Sequence, residues 1–243
     1  QIAIRLHTSP GQEVITEGNA HIYEFEMAAM AAISGVLARP VPAPDGILDW
    51  ESVSRAIRPK IYYRAQTGLI ALENTHNMAG GTVYAKERID DICLHAREAG
   101  LPVHLDGARI FNASVALNTE VARLVEHCDS VMFCLSKGLA APVGSMLAGS
   151  RDFIGRARSV RKMLGGGMRQ AGVLAAAGLI ALEKMPARLA EDHRNARLLA
   201  GLLREIPGVD VEPEKVRTNI FMVGIARTGM DGARLAARLR ERN

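Results

Sequence analysis

Short apolar runs alternate with amphipathic stretches along most of the chain. Leu69-Ile70-Ala71-Leu72-Glu73, Val103-His104-Leu105-Asp106 and Ser130-Val131-Met132-Phe133-Cys134 have the length and composition of strands buried in a parallel sheet. Glu13 to Thr16 and Ser145 to Ala148 are further strand candidates. Between them, Ala85 to Ala99 puts Ile89, Ile92, Cys93 and Ala96 on one helical face, with Gly100 as its stop. Asp49 caps a predicted helix through Ile57, which Arg58-Pro59 ends, and Ser150 caps a basic helix through Met163. Thr119 to His127 reads as a helix, as does Tyr23 to Val36, where small and apolar residues recur at helical spacing. Gln1 to His7 reads as a helix tail closed by Thr8-Ser9-Pro10-Gly11, and Pro40, Pro42 and Pro44 mark an extended connection. Strand and helix alternate, so the fold class is α/β with a mostly parallel sheet and right-handed crossovers.

The pattern changes towards the C-terminus. Gly165-Gly166-Gly167 breaks the basic helix, and Met168 to Met185 is apolar nearly all round, which predicts a buried helix. After Pro186 comes an amphipathic helix, Ala187 to Ile206, then strand candidates at Val209 to Glu212 and Asn219 to Ile225, and a charged helix from Ala233 to Asn243. The expected organisation is a large domain over residues 1–186 and the opening of a smaller α/β domain over 187–243. The first residue is not Met and lies in a helical pattern, and the last helix is charged to its end. The chain therefore reads as the middle of a longer protein.

Composition narrows the picture only a little. The 243 residues can bury a sizeable core, and 48% hydrophobic with 23% charged content is ordinary for a globular chain. The net charge is +4, but the arginines are scattered over helices and aromatics make up only 4%, which argues against a nucleic-acid partner. Three cysteines, Cys93, Cys128 and Cys134, sit in apolar patterns, so a reducing cytoplasmic setting is expected. No apolar run is long enough to cross a membrane.

Two strand ends carry the chemistry. One apolar strand ends in Asp106-Gly107-Ala108-Arg109, the other in Ser136-Lys137-Gly138. Ligands of open α/β sheets bind outside the carboxyl ends of strands. An aspartate and a lysine delivered to that edge are the minimal kit for pyridoxal 5'-phosphate (PLP): the lysine makes the Schiff base and the aspartate pairs with the pyridinium nitrogen.

His104-Leu105-Asp106-Gly107-Ala108-Arg109, together with Ser136-Lys137-Gly138-Leu139-Ala140-Ala141-Pro142-Val143-Gly144-Ser145, resembles the L-threonine aldolases, of the aspartate-aminotransferase-like PLP fold. Leu72-Glu73-Asn74-Thr75-His76-Asn77, Gly80-Gly81 and Gly165-Gly166-Gly167-Met168-Arg169-Gln170-Ala171-Gly172 extend the likeness, in order, along essentially the whole chain. The resemblance implies that Lys137 holds PLP, that Asp106 keeps its ring nitrogen protonated, and that Arg109 lies near the phenolic oxygen and the substrate carboxylate. It implies stacking of His21 on the cofactor ring, with Glu26 positioning a water near the reacting hydroxyl. The family usually carries glycines after that glutamate, where this chain has Met27-Ala28-Ala29.

His76, after an apolar strand, reads equally as a partner for the substrate's β-hydroxyl and as a turn histidine bonded to the backbone. Lys162 and Arg169 resemble positions that reach a neighbouring subunit's cofactor phosphate, which implies a homo-oligomer, a dimer or tetramer with shared active sites. The activity implied is retro-aldol cleavage of threonine or allo-threonine, a small amino-acid substrate, to glycine and acetaldehyde. Either His76 or a water held by His21 and Glu26 is the base, and no metal is expected. The alternatives are a β-eliminating lyase or aminotransferase, or an inactive fragment, since the family's amino-terminal phosphate-binding segment and late arginine are not in this sequence. Weak PLP binding and little activity are the expectation for the 243 residues alone.

Overall fold

The structure, a computed structural model, describes residues 1–242. Six strands form one sheet: β1 (Glu13–Glu17), β2 (Leu37–Val41), β3 (Thr67–Glu73), β4 (Val103–Asp106), β5 (Ser130–Cys134) and β6 (Ser145–Gly149). Their order is β2-β1-β3-β4-β5-β6; β1 to β5 run parallel and β6 returns antiparallel on β5. The helices are α1 (Ile2–His7), α2 (His21–Glu24), α3 (Trp50–Ala56), α4 (Lys86–Glu98), α5 (Ile110–Leu117), α6 (Val121–Leu124), α7 (Arg151–Met163), α8 (Gly172–Lys184), α9 (Leu189–Arg204) and α10 (Gly232–Arg240). The mostly parallel α/β reading holds.

The continuous apolar runs have a simple cause. Along β3, Ile70 and Leu72 enter a core with Ile89, Ile92, Leu105 and Ile110, while Leu69 and Ala71 enter a second core with Ile4, Val14, Ile22 and Val36. Successive strand residues point to opposite faces, and both faces are covered, so the middle of β3 is apolar throughout. At those ends polar side chains become possible: Glu17, Glu73 and Asp106 each terminate a strand while still buried.

The predicted caps are present. Asp49 accepts from Ser52 N–H at 2.8 Å, and Ser150 Oγ accepts from Phe153 N–H at 3.2 Å. Other expectations need correction. The stretch from Tyr23 to Val36 is not one helix; α2 stops at Glu24, Met27 and Ala28 adopt positive φ, and one π-helical turn covers Met30–Ser34. Two left-handed residues cannot continue a right-handed helix. The proline-marked connection contains β2, an edge strand, where Pro40 is tolerated because the edge asks for fewer backbone donors. The helix expected from Thr119 to His127 is only α6, and α5 lies unpredicted just after Arg109.

The helix between Met168 and Met185 is α8, and it is mostly exposed: Val173 is 84%, Leu179 60% and Ile180 54% accessible. The strands expected at Val209 to Glu212 and Asn219 to Ile225 reduce to a single bridge, Asp210 with Gly224. Pro213 opens a 3-10 turn between them, which stops any longer ladder. The expected final helix forms over Gly232–Arg240; its expected end, Asn243, lies outside the described residues. No helix among the described residues is long and apolar enough to cross a membrane.

Candidate active site

The site grows from the carboxyl ends of β3, β4 and β5. Register pairs Glu73 with Asp106 and Asp106 with Met132, so the two carboxylates finish side by side. Asp106 is buried, and its Oδ1 accepts from Ala108 N–H at 3.1 Å. Burial raises its pKa to about 6, helped by the Glu73 charge, while the Ala108 hydrogen bond pulls the other way. Gly107 is fixed by close approach: a Cβ there would lie 2.8 Å from the Met132 carbonyl oxygen. The turn therefore passes tightly over β5 before α5 begins.

Arg109 stands at the start of α5, and its Nη1 donates to Asn77 Oδ1 at 3.2 Å. On the next strand end, Lys137 is exposed in the turn after β5. Burial pushes the Cys134 thiol up, and Lys137 beside it pulls it back; Asp106 raises it and Arg109 lowers it. One thiol thus feels the lysine, the aspartate and the arginine together. His21, at the start of α2, places Nδ1 3.2 Å from Glu26 Oε1. Donor atoms of His21, Glu26 and Asp106 all lie within 4.8 Å of one another. Gln1 Nε2 also donates to Glu26.

Lys137, Asp106, Arg109, His21 and Glu26 therefore converge on one edge. His76 stands apart in its bonding, its ring buried between Glu17 and the Ala79 N–H. Lys162 and Arg169 are exposed on either side of the triple glycine, with the Lys162 chain lying across Gly167. Glu73 is the residue that motif reading passed over. Its Oε2 accepts from His21 N–H at 2.6 Å and its Oε1 from Asn77 N–H at 2.8 Å. An acidic residue closing an otherwise apolar buried strand is the signal that could have revealed it.

The profile of the β-eliminating lyase family matches residues 1–226. A low-specificity L-threonine aldolase of Escherichia coli O157:H7 is 44% identical over 238 residues, covering 98% of this chain and 70% of the relative. Low-specificity L-threonine aldolase 1 of Arabidopsis thaliana is 43% identical over 246 residues, covering 100% and 68%. The chain belongs to the low-specificity L-threonine aldolase family. Among solved structures, a threonine aldolase of Leishmania major superposes with a TM-score of 0.71 at 25% identity, over 83% of this chain and 60% of that one. A PLP-dependent aminotransferase of Streptococcus suis matches with a TM-score of 0.71 at 19% identity, over 93% and 59%, which shows the shared fold. The chain thus spans about 60% of these solved chains and about 70% of the two curated relatives.

The threonine aldolase family depends on pyridoxal phosphate. The donor set here fits that cofactor. A buried carboxyl whose charge is disfavoured by its surroundings is relieved by a cation held against it, which is what a pyridinium nitrogen offers Asp106. An exposed lysine and a half-exposed imidazole stand at the same edge.

Proposed function

We propose that this protein cleaves L-threonine or L-allo-threonine to glycine and acetaldehyde. The observation that carries the reading is the convergence of Asp106, Arg109, Lys137 and the His21–Glu26 pair at one sheet edge, in a chain of this family.

Bound pyridoxal phosphate supplies a sink for the electron pair released when the Cα–Cβ bond breaks. Lys137 would hold the cofactor covalently, and Asp106 would face its ring nitrogen and keep it protonated. Arg109, oriented by Asn77, receives the substrate carboxylate with its guanidinium fork. Glu26 accepts from Nδ1–H of His21, which leaves the lone pair on Nε2 to take the β-hydroxyl proton, directly or through a water. His21, by family likeness, would stack on the cofactor ring. Lys162 and Arg169, exposed near the triple glycine, suit a phosphate presented by a second copy. The exposed apolar face of α8 supports a homo-oligomer, a dimer or tetramer. Three free cysteines support a cytoplasmic setting, where the reaction would itself make glycine from threonine.

Acetaldehyde release from L-threonine by the PLP-supplemented whole protein, carrying the family's amino-terminal phosphate-binding segment and late arginine, tests the reading, with Lys137→Ala as control. Release that the control abolishes is expected. Covalent PLP at Lys137 without release would move the substrate to an eliminating or transaminating reaction.

A further inference from the structure

Glu17 ends β1 and His76 follows β3, its parallel neighbour in the sheet. Their side chains meet out of solvent's reach, 3% and 1% exposed, with His76 Nε2 2.8 Å from Glu17 Oε2. The opposite ring nitrogen is also committed, because Ala79 N–H donates to Nδ1 at 3.2 Å. A backbone amide can only donate, so Nδ1 carries no proton. The ring's proton is therefore on Nε2 and is given to Glu17. The same Oε2 accepts Asn19 N–H at 2.6 Å. Gly46 presses on the ring, and a Cβ at that position would lie 2.5 Å from His76 Cγ. Both ring nitrogens are thus engaged, and Gly46 lies close against the ring.

We infer that Glu17 is a positioning residue that locks His76 as the Nε2–H tautomer and withdraws it from proton transfer. His76 then serves as a strut. It holds the turn that carries Asn77, and Asn77 Oδ1 accepts from Arg109. The chain of contacts runs from Glu17 through His76 to the orientation of Arg109, away from the reacting hydroxyl. The second half of this inference rests on the aldolase reading; the tautomer does not.

Long-range proton–nitrogen NMR of the PLP-loaded protein, with the His76 signal assigned by its loss in His76→Gln, reads the tautomer directly. A protonated Nε2 with a bare Nδ1 is expected, and a protonated Nδ1 would overturn the lock whatever the enzyme's activity. Kinetics test the consequence. Glu17→Ala is expected to raise KM for L-threonine about tenfold while kcat stays within about threefold, because the loss falls on carboxylate binding. Glu17→Gln should restore both values, since one carbonyl oxygen can accept from His76 and Asn19 alike. A fall in kcat of a hundredfold or more at unchanged KM would make His76 the proton acceptor and defeat the inference. Should Glu17→Ala fail to fold, Glu17→Gln and the wild-type tautomer still decide it: a shift of the Gln variant to Nδ1–H would also defeat the lock.

Discussion

Glu73 carries His21: the carboxylate at the end of β3 accepts the backbone N–H that opens α2, at 2.6 Å. Its second oxygen accepts Asn77 N–H at 2.8 Å, so one buried side chain ties together the proposed proton acceptor and the residue that orients Arg109. Two backbone donors would be orphaned by its removal. Glu73→Ala is expected to destabilise the fold by about 2–4 kcal/mol, on the order of 1–2 kcal/mol for each orphaned amide. Glu73→Gln keeps one acceptor and faces the second amide with its own NH2, so it should cost about half as much. Denaturant titration of both variants checks the order, and equal stability of wild type and Glu73→Ala would show that Glu73 does not hold the edge together.

The extent to which this was readable in advance follows from what each residue reports locally. Asp106 and Lys137 each close an apolar run, a change of character that periodicity detects without structure. Glu73 closes one too, but its partners, His21 and Asn77, come from a turn and a loop whose backbone amides leave no trace in the residue pattern. β2 hid behind Pro40 because the edge position that tolerates a proline is a property of the sheet. The stretch from Met168 to Met185 misleads for the opposite reason. Its all-round apolarity is real, but burial depends on what covers it, and within this chain only Gly178 and Ala181 are buried.

Met27 and Ala28 follow Glu26 with φ of 52° and 55°, in the left-handed region that side chains with a Cβ enter at a cost. The glycines expected there by family likeness would adopt it freely. Met27→Gly and Ala28→Gly should each stabilise the protein by about 0.5–1 kcal/mol, the relief of strain outweighing the added chain entropy. His21 and Glu26 should keep their contact, because the change relaxes the backbone beside them. Thermal denaturation of the two variants measures this, and a lower melting temperature in both would mean the conformation is not strained.

Asp106 makes the opposite kind of contribution. Burial lifts its carboxyl from 3.8 to about 6, so between those values the folded chain holds a proton that the unfolded chain has released. Stability contributed by this group is present in acid and is lost as pH rises towards 6, a penalty on the order of 3 kcal/mol at most in the cofactor-free protein. Asp106→Asn removes the charge, so its melting temperature relative to wild type should climb from pH 4 to pH 7 and then level. A difference that stays constant with pH would place the carboxylate in a better solvated environment than its burial indicates.

His104 lies two residues earlier on β4, on the same face as Asp106, and bends the profile the other way. It is buried, and that burial holds its pKa down at about 3, with His7 nearby adding to the effect. Ser130 Oγ sits between the two rings, 2.8 Å from His104 Nδ1 and 2.7 Å from His7 Nε2. The folded chain keeps His104 neutral where the unfolded chain protonates it, below about pH 6.5. Its contribution is therefore complete above pH 6.5 and is lost as pH falls towards 3, by roughly 2 kcal/mol at pH 5. Between pH 4 and 6 the two neighbours nearly cancel, since one binds a proton on folding and the other excludes one. His104→Asn, which retains a partner for Ser130, should melt progressively closer to wild type, or above it, as pH drops from 7 to 4.5. Asp106→Asn over the same interval should lose its advantage. If His104→Asn tracks wild type in parallel across that range, His104 is not excluded from protonation and the compensation does not exist.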